Sequence, residues 1–178
     1  MISIVFRSLA IAAALAIGVL CLCVAGSSSA AAPKSANGQG TLIRLDESGS
    51  PVRRHFSFSG RQLNGYNADG NAILHNPEYR TNNGKVYALQ IDIKCMKVVG
   101  NTAIFGGLTR RTNDPDLVDA AFFTVQDNGE PGKDRDKISL VYFFDADPTT
   151  TGDPMLCQYI APSDFPLETI ESGNVQVK

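Results

Sequence analysis

The chain has 178 residues, with 16 basic and 18 acidic side chains, a net charge of −2 and no tryptophan. The charges are scattered, and no Lys/Arg cluster interleaved with aromatics marks a nucleic-acid or anionic-membrane surface. No repeat at solenoid or propeller spacing is present, so the pattern points to one ordinary globular domain.

The N-terminal segment reads as an address. Met1 to Arg7 carries one positive charge and Ser8 to Gly26 is almost wholly apolar. Ser27 to Ala32 then offers the small residues a signal peptidase reads. Residues 1–31 are expected to be a signal peptide, cleaved after Ala30 or Ala31. A retained membrane span is the rival, but no basic stop-transfer cluster follows. Cys21 and Cys23 follow Leu20 and Leu22 rather than a small residue, which argues against a lipid anchor. Arg7 is the only charge in this segment, so the mature chain of about 147 residues holds 15 basic and 18 acidic groups, net −3. The expected location is secreted or periplasmic, with no membrane contact after cleavage.

Residues 32–40 are small, polar and glycine-containing, and read as a flexible leader before a single β domain over 41–178. Thr41–Asp46 and Val52–Ser59 read as paired strands across Glu47–Pro51, with Arg54, Phe56 and Phe58 alternating against His55, Ser57 and Ser59. Asn64-Gly65 and Asp69-Gly70 are turn signals in a polar stretch, and the short run Ala72–His75 is stopped by Pro77. Asn82-Asn83-Gly84 leads into the best-patterned stretch, Val86–Thr109. There Leu89, Ile91, Ile93 and Cys95 share one strand face and Gln90, Asp92 and Lys94 the other. Val99–Thr102 supplies a two-residue turn whose centre, Gly100 and Asn101, tolerates positive φ, and Ala103–Leu108 returns as the second arm.

After a polar loop, Arg110–Asp116, the strand Ala120–Gln126 sets Ala121, Phe123 and Val125 on one side. Lys137–Phe144 is apolar on both faces and reads as one central strand. Asp145–Pro154 is another loop, and Met155–Ile160 is a short apolar run around Cys157. Asp164–Glu171 is the only helical candidate, and Pro166 limits it to about a turn. Glu171-Ser172-Gly173 turns into a last strand, Asn174–Val177. About eight or nine short strands with Gly/Asn/Pro/Asp punctuation indicate an antiparallel β-sandwich or β-barrel.

Few residues suggest chemistry. His55 falls on the polar side of its strand and His75 at a strand end. No serine sits on a Gly-x-Ser-x-Gly elbow, so nothing supports a nucleophilic triad. Two isolated histidines and two distant cysteines do not make a zinc site. The best candidate is the loop 127–136, where Asp127, Asn128, Glu130, Asp134 and Asp136 place hard oxygen ligands close together with two glycines, as calcium would need. The spacing is not that of an EF-hand, and Lys133 and Arg135 offset part of the charge, so a solvated hairpin loop competes with the calcium reading. Removal of the leader leaves Cys95 and Cys157, an even pair in an oxidising compartment, and these are expected to form a disulfide.

Four segments carry a family resemblance: FSFSGR (56–61), IKCMKVVGNTAIFGG (93–107), FTVQDNGEPG (123–132) and ESGNVQV (171–177). Their most specific features are Cys-x-x-Val-x-Gly-Asn from Cys95 to Asn101 and Gly-Asn-x-Gln-Val from Gly173 to Val177. Together the chain resembles small secreted bacterial β-domains of the post-COAP kind, across nearly all of its mature length. The resemblance implies an all-β secreted module and carries over no catalytic residue.

The first functional expectation is therefore an exported non-enzymatic β module with a structural, surface-interaction or ligand-binding role. Its partners would be cell-surface or extracellular components, and no cofactor is expected beyond the calcium candidate. The alternatives are a small barrel binding an apolar molecule and a secreted hydrolase.

Overall fold

The computed structural model describes residues 33–45, 48–80, 86–112, 119–144 and 150–178. The signal-peptide expectation for 1–31, the turn at Asn82-Asn83-Gly84, residues 113–116 of the 110–116 loop and residues 145–149 of the 145–154 loop lie outside the described residues. Ala32–Lys178 forms one compact unit. It is all-β: β1 (Ser35–Leu45), β2 (Pro51–Asn64), β3 (Asn67–Arg80), β4 (Val86–Val99), β5 (Thr102–Thr112), β6 (Ala120–Gln126), β7 (Lys137–Ser139), β8 (Tyr142–Phe143), β9 (Leu167–Thr169) and β10 (Ser172–Val177). All pairings are antiparallel, in the order β10-β1-β2-β3-β4-β5-β6-β7-β9 with β8 also on β6, and the sheet curls into a half-barrel. β9 and β10 stand at its two ends, yet only Ile170 and Glu171 separate them in the chain.

The concave face holds the main core. Phe56 and Phe58 from β2 meet Leu89, Ile91 and Ile93 from β4, Phe105 from β5, and Phe123 and Val125 from β6. The alternation in β2, β4 and β6 thus lands on the expected residues. Rings fill the centre: Phe105 and Phe123 stack at 4.8 Å, and Phe58 approaches them at 5.5 and 5.8 Å.

Residues 35–40 of the expected leader are not loose. β1 begins at Ser35 and pairs with β2 from Ser35↔Arg61 onward, and Ala36 is fully buried. The small residues there are a packing requirement. Gly38 lies opposite Phe58 and Gly40 opposite Phe56, and a Cβ on Gly38 would stand 2.7 Å from the Phe58 ring. Glycines that read as looseness instead give the aromatic rings room to lie across the sheet.

Other segments also differ from the local reading. Asn64 and Asn67 close a tight β2–β3 hairpin, but Asp69-Gly70 is no turn; it sits inside β3 at a register shift against β4. β3 likewise continues past Pro77, with a second shift between Asn76 and Arg80, as a proline in a strand requires. In the β4–β5 turn Gly100 has φ 61°, while Asn101 does not share its positive φ, so one left-handed residue suffices. The expected single strand Lys137–Phe144 is broken at Leu140-Val141. The Ser139 hydroxyl accepts from Thr124 N (2.9 Å) and donates to Leu140 O (2.7 Å), satisfying backbone groups where the ladder is interrupted.

One register shift matters most. Between Ile93 and Cys95 the β4–β5 pairing slips by one residue. An extra residue in one strand inverts the facing of everything beyond it. Met96 therefore takes the inward place in the main core, and Cys95, expected on the Ile91/Ile93 face, turns to the convex side. There it joins a second cluster with Ile104, Ala120, Phe122, Cys157, Ile160 and Phe165.

That cluster is covered by a 3-10 helix, Pro154–Gln158, in place of the extended run expected there. Asp153 is its N-cap, accepting from Met155 N at 2.8 Å, and Pro154 occupies the first turn. Lys97 Nζ donates to the Gln158 and Ile160 carbonyls at 2.9 and 2.8 Å, satisfying the far end. Asp164–Glu171 is not helical; it contains β9. The Cys95–Cys157 disulfide ties the helix to β4 across 6.1 Å between Cα atoms.

The helix sits so close that a Cβ on Gly106 of β5 would collide with the Pro154 carbonyl oxygen and lie 3.1 Å from Cys157 Cβ. Gly106→Ala is expected to lift this cover and cost about 1–3 kcal/mol, the usual range for overpacking. The shift in denaturant midpoint measures it, and an unchanged midpoint would refute the contact.

Candidate functional site

The oxygen-rich loop 127–136 was the expected site, and the structure gives its carboxylates a different task. β10 pairs with β1 on one side, leaving backbone N–H groups of its other side to be satisfied. Asp136, fully buried, accepts from Val175 N through Oδ2 and from Asn128 N through Oδ1, both at 2.8 Å. Asp127 Oδ2 accepts from Val177 N at 3.0 Å, and its Oδ1 from Gly129 N at 2.9 Å. Glu130 Oε1 accepts from the Asn174 and Gln176 side chains, also on β10, at 2.8 and 3.2 Å. The loop thus stands where a partner strand would, bridging the end of β6 to β10 and drawing the two ends of the curled sheet together.

Asn128 serves the same structure, donating to Arg135 O at 2.7 Å, while Asp134 is left at the surface with φ 62°. The five residues proposed as calcium ligands are therefore not gathered around a common point. Among the described residues no group of three or more His, Cys, Asp or Glu is placed to hold a metal ion. The density of oxygens was real, but these oxygens serve as acceptors for backbone and amide donors, which sequence spacing does not distinguish from coordination.

The histidines, in contrast, are not isolated. The β2–β3 hairpin sets His55 directly opposite His75, with Thr41 of β1 beyond His55 and Ala88 of β4 beyond His75. Both side chains are exposed and leave the sheet on its convex side, while Arg54 and Phe56 beside His55 and Ala72 on the alternate face of β3 are buried. Arg53, two residues from His55 on the same side, is held by Glu171 at 3.0 and 3.1 Å, and Thr41 Oγ1 bonds Ser172 Oγ at 2.7 Å. Next to His75 the small Ala88 opens a shallow depression of about 330 Å³, lined by Ile73, Ala88, Leu89, Gln90, Arg111 and Thr112. A twenty-residue separation hid this pairing, although Asn64-Gly65 midway between the histidines was its available signal.

Comparison with family models, with characterised proteins and with solved structures gives no match for this chain.

Proposed function

We propose that this protein is an exported, non-enzymatic β module that acts through its outer surface, as a structural or surface-interaction domain. The filled interior carries the reading. The concave face is occupied by the stacked pair Phe105 and Phe123 and by Phe58 packed against both, so a ligand would have to engage the outer surface rather than the interior. The buried Cys95–Cys157 bond supports an oxidising compartment. The resemblance to post-COAP-type domains belongs to the same proposal; its four segments fall in β2, in the β4–β5 hairpin, across the end of β6 and the start of the following loop, and in β10.

Export is tested by expressing the complete chain in a bacterium and analysing the extracytoplasmic fraction by mass spectrometry. An N-terminus at Ala31 or Ala32 is expected. Recovery of an intact Met1 or of a lipidated cysteine would overturn export. Titration of the folded domain with a fluorescent fatty acid is expected to show no saturable one-to-one binding. Stoichiometric uptake would replace the proposal with a barrel that carries apolar molecules.

A further inference from the structure

We propose that His55 and His75 form a two-imidazole site for a divalent transition-metal ion on the convex face of the β2–β3 hairpin. The site is independent of the export reading. It rests on register: directly opposed residues of an antiparallel pair project to the same side, with Cβ atoms about 4.5–5.5 Å apart. Two imidazoles rooted at that spacing, each turning about χ1 and χ2, bring one nitrogen apiece to a common ion at about 2.0–2.1 Å. Neutral imidazole suits zinc, nickel and copper and has little affinity for the hard cations that prefer oxygen.

The surroundings are compatible with a cation. Arg53, the nearest positive group on the His55 face of β2, is paired through two contacts with the Glu171 carboxylate, and Arg54 is buried on the opposite face. On the other side Ala88 is too small to crowd the His75 ring, and the adjoining depression leaves space above the sheet, with Arg111 the one positive group in its lining. Two protein nitrogens leave further coordination positions on the ion open to water or to a small anionic or nitrogen ligand. The hairpin is rigid where it matters, because β2 is paired on both sides by β1 and β3. Little ordering is then needed when the ion binds.

Cu2+ is the probe of choice, being the tightest binder of the divalent series at nitrogen sites. Tag-free protein comprising the compact unit Ala32–Lys178 is titrated with Cu2+ by calorimetry and examined by electron paramagnetic resonance. The expected result is one ion per chain with two equivalent nitrogen donors in the spectrum. His55→Gln and His75→Gln should each weaken binding at least about tenfold, and the double variant should be little worse than either, since each single change already destroys the chelate. Both positions are exposed, so the variants keep the parent's melting temperature. A one-nitrogen spectrum, or single variants that each retain the parent affinity, would overturn the site.

Discussion

Replacing Cys95 and Cys157 together by alanine is expected to lower the stability of the domain by roughly 4 kcal/mol. The bond closes a loop of 62 residues, and in the chain-entropy model a loop of that length restricts the unfolded chain by about that amount. Alanine removes the bond without introducing a polar group at two fully buried positions. The loss is a large share of the 5–15 kcal/mol typical of a domain, and it falls unevenly. The bond holds the 3-10 helix against β4, β5 and β6, so the second cluster around Phe122, Ile160 and Phe165 should loosen before the Phe58/Phe105/Phe123 core. Denaturant titration of the double variant measures the total, and hydrogen exchange over 154–160 locates it. A loss under about 1 kcal/mol, or free thiols in the native protein, would show that the bond does not hold the fold.

Asp136→Asn should be nearly as damaging, with a loss of about 3 kcal/mol or more. The carboxylate is fully buried and accepts two backbone N–H groups, one on each oxygen. Asparagine has almost the same shape but only one acceptor oxygen, and its amide would point hydrogens at a backbone N–H. One donor, on Asn128 or on Val175, is then left buried and unsatisfied, while a charge-assisted bond worth about 1.5–3 kcal/mol is lost. Asp134→Asn is the control: its carboxylate is 72% exposed, so a change within about 0.5 kcal/mol is expected. Equal midpoints for the two variants in denaturant would refute the role of the loop as a stand-in strand. Calcium should not rescue Asp136→Asn, since the lost contacts are to backbone nitrogen donors.

The main-core strands could be read from the chain because their cause is local. Phe56 and Phe58, Leu89, Ile91 and Ile93, and Phe123 and Val125 alternate with period two, and a pleated strand with one buried face has that same period. The disulfide pairing was equally accessible, since the expected cleavage after Ala30 or Ala31 would leave only Cys95 and Cys157. The exported, all-β, disulfide-bearing reading needed no more than these patterns, and the all-β fold and the Cys95–Cys157 pair are present in the structure. Three other features depended on residues far apart in the chain. Gly38 and Gly40 belong to a strand because rings from β2 lie over them, and Cys95 faces outward because a one-residue slip against β5 inverts its side. Asp127 and Asp136 accept hydrogen bonds from β10 because the curled sheet brings its last strand back to them. Composition and period act over a few neighbouring residues, so they determine where strands form and which residues each strand buries. Register, bulges and the closing of the sheet are set by contacts across tens of residues, and it was these that turned a metal-like loop into a backbone latch and two distant histidines into a pair.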